Sequence, residues 1–177
     1  MIEGLASLEA KLDKLADVST IETGMKRAMS VVQAAAKAGA PVRKTAGGGG
    51  LRDSIYTDIE TSESHIKGIC YTNLEYAQYV EFGTGPAGQA DHQGISPEVA
   101  VQYRQQGWMI PAKEMSEADA MAYGFKIMTG KDGQVIGYGT RGQRAQPFMY
   151  PALKNNKKAV IKEIEKGINE IQKGLSK

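Results

Sequence analysis

Two short segments constrain the fold of this chain more than any other feature, because each combines bulky apolar residues with residues that fix the backbone. Residues 76–84 read Tyr-Ala-Gln-Tyr-Val-Glu-Phe-Gly-Thr and surround Glu81 with aromatic and branched side chains before a glycine-rich turn. Residues 145–153 read Ala-Gln-Pro-Phe-Met-Tyr-Pro-Ala-Leu and lead into a polar, periodic helix pattern. Neither segment contains a nucleophile–base pair or a set of metal ligands, so the pair predicts a structural role rather than a catalytic one.

Together these segments resemble the YAxYVEFGT and QPFxxPAL patterns of the tail-completion, or head–tail joining, family of tailed phages. Residues 51–55, Leu-Arg-Asp-Ser-Ile, come directly after a glycine-rich loop and are similar to that family's entry into its first strand. The resemblance implies an α+β fold, an antiparallel sheet packed by an N-terminal helical region and a long C-terminal helix. The residues that match the family's motifs, and are the candidate interaction or structural residues, are Tyr76, Ala77, Tyr79, Val80, Glu81, Phe82, Gly83, Thr84, Pro147, Phe148, Pro151 and Ala152.

The same resemblance implies partners and a location. The expected partners are further copies of the chain in a ring, a hexamer or a dodecamer, and other neck and tail proteins of the phage. A passing contact with DNA is expected, but no contact with a membrane. The expected location is the virion, after assembly in the host cytoplasm, and neither catalysis nor a cofactor is expected.

Composition excludes several other classes of protein. With 177 residues, 41% of them hydrophobic and 24% charged, the chain predicts a single globular domain, 1–177, rather than disorder. A net charge of +2 is too small to argue for nucleic-acid binding, which needs a concentrated basic face. No apolar run approaches the roughly 20 residues that cross a bilayer, and the first residues lack the basic start of a signal peptide. The single cysteine, Cys70, excludes an intramolecular disulfide and is expected in the core.

Hydrophobic periodicity predicts a helical region at the start of the chain. Leucines at 5, 8, 12 and 15 form one apolar stripe within the region 3–38. A restart is expected at Ser19, which has capping-box spacing to Glu22, and an end at Gly39. Residues 43–50 end in four glycines and are expected to form a loop, mobile in the free protein. That loop lacks the Gly-Lys-Ser/Thr ending of a phosphate-binding loop.

The same periodicity predicts the final helix, from about residue 151 to residue 174, within the terminal region 145–177. Gly167 costs this helix about 1 kcal/mol relative to alanine. Ile164 and Ile168 are expected to be buried on the sheet, so aspartate at either position would cost several kcal/mol.

The region 51–84 is expected to form a hairpin and then a short helix or turn. Residues 51–60 and 65–72 alternate in polarity and predict two antiparallel strands, with Ile55, Thr57 and Ile59 on the buried face. Residues 74–82 then form the short helix or turn that carries most of the first motif, which is the segment 76–84; the second motif is the segment 145–153.

Residues 85–144 are longer than the corresponding part of many relatives and predict an insertion. Asp132-Gly133 indicates a tight turn between two strands. The expected pieces are turns at 85–88 and 94–97, an apolar anchor at 108–111, a short helix from Ser116, a hairpin at 123–138 and a flexible basic stretch at 139–144. Segments 43–50 and 86–122 are expected to become ordered on neighbouring subunits during assembly, so amides at 44–50 and 85–106 should exchange quickly in the monomer.

Three patterns leave an enzyme hypothesis open. Residues 83–88 match G-x-G-x-x-G, but residues 89–94 lack the apolar periodicity of a helix, so a dinucleotide site is disfavoured. Asp91 and His92 form a possible metal or acid–base pair, and with Glu81 they would make a small hydrolase. The favoured interpretation of Glu81 is a salt bridge or a cap on nearby backbone amides.

A second hypothesis is contact with DNA in a channel, for which Arg141, Arg144 and the lysine-rich final helix are the candidates. Glutamates are interleaved with those lysines, so a solvated helix face is favoured. Phe82 and Phe148 are the expected rigid anchors of the two motifs. Either both lie in the subunit's own core, or at least one lies between neighbouring subunits.

Overall fold

The computed structural model describes residues 19–42, 50–62 and 65–175 and shows the expected α+β architecture. The chain divides into two compact units: Met1–Ala38, Ile55–Thr72 and Ala152–Lys177 form unit 1, and Gly39–Ser54 and Asn73–Pro151 form unit 2. The single-domain organisation therefore stays a prediction. In chain order the elements are α1 Ser19–Gly39, α2 Gly50–Asp53, β1 Ile55–Thr61, β2 Ile66–Thr72, α3 Ala77–Phe82, α4 Gly85–Ala90, β3 Trp108–Pro111, a 3-10 turn Ala112–Glu114, α5 Glu117–Ala122, β4 Lys126–Thr129, β5 Val135–Thr140 and α6 Met149–Leu175.

Helix α1 is the central element of unit 1. It ends at Gly39, as predicted. The expected restart at Ser19 falls on the first described residue and stays a prediction, and the earlier part of the expected helical region lies outside the described residues. Its buried residues recur every three or four positions, which presents one face to the core. They are Gly24, Ala28, Met29, Val32 and Ala36.

The β1–β2 hairpin packs against α1. The two strands are antiparallel and regular, from Ile55 opposite Thr72 to Thr61 opposite Ile66, so this part of the expected pairing is confirmed. Ile55 is fully buried, and its carbonyl accepts a hydrogen bond from Gln33 Nε2 (2.8 Å). A Cβ at Gly68 would lie 2.6 Å from Met29 Sδ, so the methionine fills the space that a side chain would occupy.

Helix α6 crosses α1 at a pair of glycines in unit 1. A Cβ at Gly167 would lie 3.1 Å from Thr20 O and 3.2 Å from Gly24 Cα, so the two backbones approach closely there. Gly167 is therefore the contact point of this helix and not merely a weak position in it. These contacts place α6 against α1; the packing of the final helix on the sheet stays a prediction.

The expected burial of Ile168 is wrong. Its side chain is 42% exposed, because the buried face of α6 runs through the adjacent Gly167, about 100° around the helix. Ile164 is half-buried. Arg27 of α1 lies beside the same face, with Nε 3.6 Å from Glu163 Oε2 and Nη2 3.3 Å from Glu170 Oε1.

Cys70 of β2 is a free, half-buried thiol. Burial raises the pKa of this thiol above its ordinary value, and the nearby charge of Lys37 lowers the pKa only in part. Its position on the hairpin agrees with a structural side chain more than with a nucleophile, which needs a lowered pKa.

Unit 2 contains a three-stranded antiparallel sheet with the order β3-β5-β4. The predicted hairpin is present as β4 and β5, and the apolar anchor forms the edge strand β3. Ser116 begins α5 as predicted, and its Oγ accepts a hydrogen bond from the Asp119 N–H (3.1 Å). Tyr138 of β5 and Ala120 of α5 are buried.

Four expectations for this part of the chain are wrong. Residues 51–53 are helical and not a strand, because the Ser54 N–H donates to Gly50 O (3.1 Å) and its hydroxyl to Leu51 O (2.8 Å). Gly50 is helical and not part of a loop, while 43–49 of the expected loop lie outside the described residues. The expected turn at 85–88 is part of α4, which proline can begin.

The fourth is the extent of the stretch at 139–144, which was expected to be flexible and irregular throughout. Gly139 and Thr140 continue β5, and the next residues of the chain exchange backbone hydrogen bonds with the first motif. Among the described helices, none combines the length and the apolar composition that a membrane span requires.

The close contact at Gly167 predicts that a larger residue there destabilises the protein, whereas helix propensity alone predicts the opposite. Gly167→Val should lower the free energy of unfolding by about 1–3 kcal/mol, because a branched side chain cannot fit between the two backbones. Valine is intrinsically the better helix former of the two. Urea denaturation followed by circular dichroism measures the change. Asn169→Val, at an exposed position of the same helix, is the matched control and should stay within about 0.5 kcal/mol of the parent. Equal stability of the two variants would contradict the close crossing.

Candidate functional site

Glu81 joins the two sequence motifs. It lies in α3, where its side chain is only 6% exposed. Its Oε2 accepts hydrogen bonds from the backbone N–H groups of Phe148 (2.7 Å) and Met149 (2.9 Å). Its Oε1 accepts a third from the Tyr150 N–H (3.0 Å). The expected cap on backbone amides is therefore present, and the amides belong to the second motif.

This arrangement accounts for every donor at the start of α6. The first four N–H groups of an α-helix have no partner within the helix. Here they belong to Phe148, Met149, Tyr150 and Pro151, and the proline has no N–H to satisfy. Because Glu81 binds the other three, and its negative charge lies at the positive end of the helix dipole, the cap is complete. We call this group of contacts the Glu81 cap.

Backbone contacts extend the junction on both sides of the Glu81 cap. The Gln146 N–H donates to Val80 O (2.8 Å), and Gln143 Nε2 donates to Tyr79 O (2.9 Å). Thr84 completes the pairing, because its N–H donates to Gln143 O (2.8 Å) while its hydroxyl accepts from the Gln143 N–H (3.1 Å). The second motif and its approach thus run alongside the first over most of its length.

The glycines of the G-x-G-x-x-G match have a packing role. Gly83 and Gly85 adopt positive φ angles of 74° and 59°, which side-chain-bearing residues rarely do. A Cβ at Gly83 would lie 2.7 Å from Ala145 N, and one at Gly85 would lie 2.6 Å from Arg141 O. Gly88 is equally close to Gly83. The preceding element is helix α3 and the next helix has six residues, which is not the strand–turn–helix context of a dinucleotide site.

The two candidate anchors have different surroundings. Phe148 is 2% exposed and is one of the largest fully buried side chains, with its Cβ close to Gly39. Phe82 is half-buried, and its carbonyl accepts a hydrogen bond from Tyr103 Oη (2.8 Å). Of the remaining candidates, Ala77 and Ala152 are buried, Pro147 lies near Gly94, and Tyr76 and Tyr79 are exposed.

Phe82 and Tyr79 line an open cleft of about 600 Å³ within unit 2. Tyr103 and Trp108 contribute two further aromatic rings, and we call this space the aromatic cleft. Tyr103 is held by its hydrogen bond to Phe82 O and by stacking on His92, with ring centroids 5.8 Å apart; desolvation raises the pKa of its phenol. The sequence pattern predicts Trp108 only as part of an apolar anchor. No local pattern marks Tyr103 as a residue of the cleft.

The residues of the hydrolase hypothesis do not converge on a reactive site. Both Glu81 oxygens accept hydrogen bonds from backbone amides. Asp91 pairs with Arg144 (3.6 Å), and its carbonyl accepts from the Ala145 N–H (2.9 Å). His92 stacks on Tyr103. Within residues 19–42, 50–62 and 65–175, no group of three or more His, Cys, Asp or Glu side chains could hold a metal ion.

Comparison with known families identifies the relationship that the motifs indicate. Residues 6–83 match the HK97-gp10-like family of phage tail components. The family model is described as "Bacteriophage HK97-gp10, putative tail-component". This match confirms the resemblance to a tail family of tailed phages over that range, which is less than half of the chain. No curated protein and no solved structure shows significant similarity to the chain.

The extent of the tail-component match bears on the Glu81 cap. The matched range ends at Gly83 and so includes Glu81 but none of the three amides that it binds. The second motif therefore lies outside the match and is supported by its sequence pattern alone. Its hydrogen bonds to Glu81 are a property of the folded chain.

The Glu81 cap predicts a large loss of stability when the carboxylate is removed. Glu81→Ala should lower the free energy of unfolding by at least about 3 kcal/mol, because it leaves three buried or half-buried N–H groups without an acceptor. Urea denaturation measures the loss. Amide exchange at residues 148–150 should accelerate in the same variant.

The matched control for this prediction is Glu75→Ala. Glu75 is an exposed glutamate six residues before Glu81, so its removal should change the free energy of unfolding by less than about 0.5 kcal/mol. If the two alanine variants prove equally stable, the Glu81 cap contributes nothing and its assignment is wrong.

Proposed function

We propose that this protein is a structural component of the virion of a tailed phage and completes the tail or joins it to the head as part of a ring. The observation that carries the proposal is the junction of the two motifs at Glu81, in a chain whose residues 6–83 match a tail-component family. The buried carboxylate of Glu81 serves to hold the start of a helix, and this supports a structural role without catalysis.

Exposed apolar side chains also support the proposal that this protein binds other proteins. Large apolar side chains remain exposed in unit 2, among them Tyr79, Met121 and Ile136. A partner that covered such side chains would remove apolar surface from water. Expected partners are further copies of the chain, in a hexamer or a dodecamer, and other neck and tail proteins of the particle.

Contact with DNA is the second candidate function, and the ion pairs of α6 argue against it. Lys166 Nζ pairs with Glu163 of the same helix, and Arg27 lies near the same carboxylate. The hydrogen bond from Lys166 and then the charge of Arg27 lower the pKa of the Glu163 carboxyl. Acidic residues thus neutralise part of the basic face that would have to contact phosphates. A passing contact at Arg141 or Arg144 remains compatible with the proposal.

The proposed function is tested by complementation of a phage that lacks this gene. Particles from the null mutant should stall with filled heads and with separate or malformed tails, as seen by electron microscopy, and the wild-type gene should restore infectious particles. Normal tailed, infectious particles from the null mutant would refute the proposal.

Two phenylalanine variants refine the same experiment. Phe148→Ala should lower the free energy of unfolding by about 3–5 kcal/mol, because the ring is buried in the core. Phe82→Ala removes a half-buried ring that lines the aromatic cleft, so the purified variant should fold yet restore fewer infectious particles. Calorimetry and plaque counts separate the two effects. A Phe82→Ala variant with wild-type plaque counts would place this ring outside the functional surface.

A further inference from the structure

Helix α5 presents an exposed apolar side chain next to an acidic one. Met121 is 65% exposed, the highest value among the large hydrophobic side chains of the described residues. Glu117 is also exposed and precedes Met121 by four positions, so the two lie on the same helix face. The Ser116 cap and the fully buried Ala120 fix this helix in place. We call Glu117 and Met121 the α5 face.

The aromatic cleft is complementary to the α5 face in apolar character and in charge. It is concave and lined by four aromatic rings, and a methionine sulfur contacts such rings favourably. Its charged lining residue is Arg104, whose guanidinium lies 5.8 Å from the centre of the Trp108 ring. Arg104 is exposed, so its charge is available to a carboxylate that approaches the rim of the cleft.

The two surfaces lie at opposite edges of one sheet. Trp108 of the aromatic cleft belongs to β3, which is one edge strand of the order β3-β5-β4. Helix α5 contacts β4, which is the other edge strand. Both surfaces therefore belong to unit 2, and the α5 face of a copy cannot lie in its own cleft without rearrangement of the sheet. Two different surfaces of a subunit associate head to tail, and such an interface forms a ring when the rotation between neighbours closes.

We propose that the α5 face of one copy docks in the aromatic cleft of the next, with Met121 among the aromatic rings and Glu117 beside Arg104. The inference rests on the proposed function, and it names the surfaces through which copies of this chain associate. Each copy provides one α5 face and one cleft, so the contact repeats around the assembly. The segment that carries both surfaces is the inserted region, 85–144, together with the first motif.

A charge exchange tests the polar half of the contact. Arg104→Glu and Glu117→Arg should each weaken self-association by about tenfold or more, because like charges then face each other. The double variant should return to within about threefold of the wild type. Sedimentation velocity over a range of protein concentrations measures the association. Lys131→Glu, in the exposed β4–β5 turn, is the control and should associate as the wild type does.

Cross-linking tests the geometry. In a Cys70→Ser background, Gln78→Cys at the cleft and Met121→Cys on the α5 face are combined in one chain. Oxidation should yield a ladder of covalent oligomers, since each copy links to two neighbours through different surfaces. Replacing Met121→Cys by Ile136→Cys, another exposed apolar position, should abolish the ladder. The reaction is run in solution and on tails purified from complemented particles.

Several results would overturn the docking. They are a double charge variant that associates no better than the weaker single variant, covalent dimers without higher oligomers, or the absence of a ladder both in solution and in purified tails. The failure of the proposed function has a different signature, which is a null mutant with normal particles. If wild-type complementation succeeds while the ladder is absent, the docking is wrong and the structural role stands.

Discussion

The arrangement of unit 2 depends on the hydrogen bonds that the buried Glu81 carboxylate accepts from three backbone amides. A carboxylate as buried as that of Glu81 would be strongly unfavourable without partners. The start of a helix offers several N–H groups and a favourable dipole at one point, which is what such a carboxylate needs. Each motif therefore satisfies the other: α3 would bury an unpaired charge without α6, and α6 would begin with unpaired donors without Glu81.

The backbone around the Glu81 cap leaves little room for side chains. Gly83 must have a positive φ and lies against Ala145 N, while a Cβ at Gly142 would overlap Thr84 O. Thr84 uses its N–H, its hydroxyl and its carbonyl in this junction. Because so many contacts are made by the backbone, the junction fixes the path of the chain but leaves nearby side chains free. Tyr79, whose carbonyl accepts from Gln143, can therefore present an exposed ring to the aromatic cleft.

The sequence was informative where a local pattern has one physical meaning. The end of α1 at Gly39, the Asp132-Gly133 hairpin and the Ser116 cap were all predicted from such patterns. The cap on backbone amides was also favoured for Glu81, because a lone carboxylate among aromatic residues needs donors. Its donors, however, lie 67 or more positions away, and no local pattern identifies them. Some expectations failed for local reasons, such as the hydrogen bonds of Ser54 that make residues 51–53 helical, whereas the error at Ile168 depended on a contact between distant parts of the chain. Periodicity placed Ile168 in the buried stripe of α6, but the close approach of Gly24 and Gly167 rotates the contact face away from it.

A structural protein of this kind must separate what holds its fold from what it presents to partners. In this chain the polar groups of the two motifs are used internally, while exposed apolar side chains lie at the edges of the β3-β5-β4 sheet. The family match reaches Gly83, whereas Arg104, Trp108 and Met121 all lie beyond it. The similarity to a tail-component family therefore includes Glu81 but none of these three residues. If the proposed docking is correct, residues 85–144 carry surfaces that bind a partner, and we expect differences in partner choice to arise there rather than in the Glu81 cap.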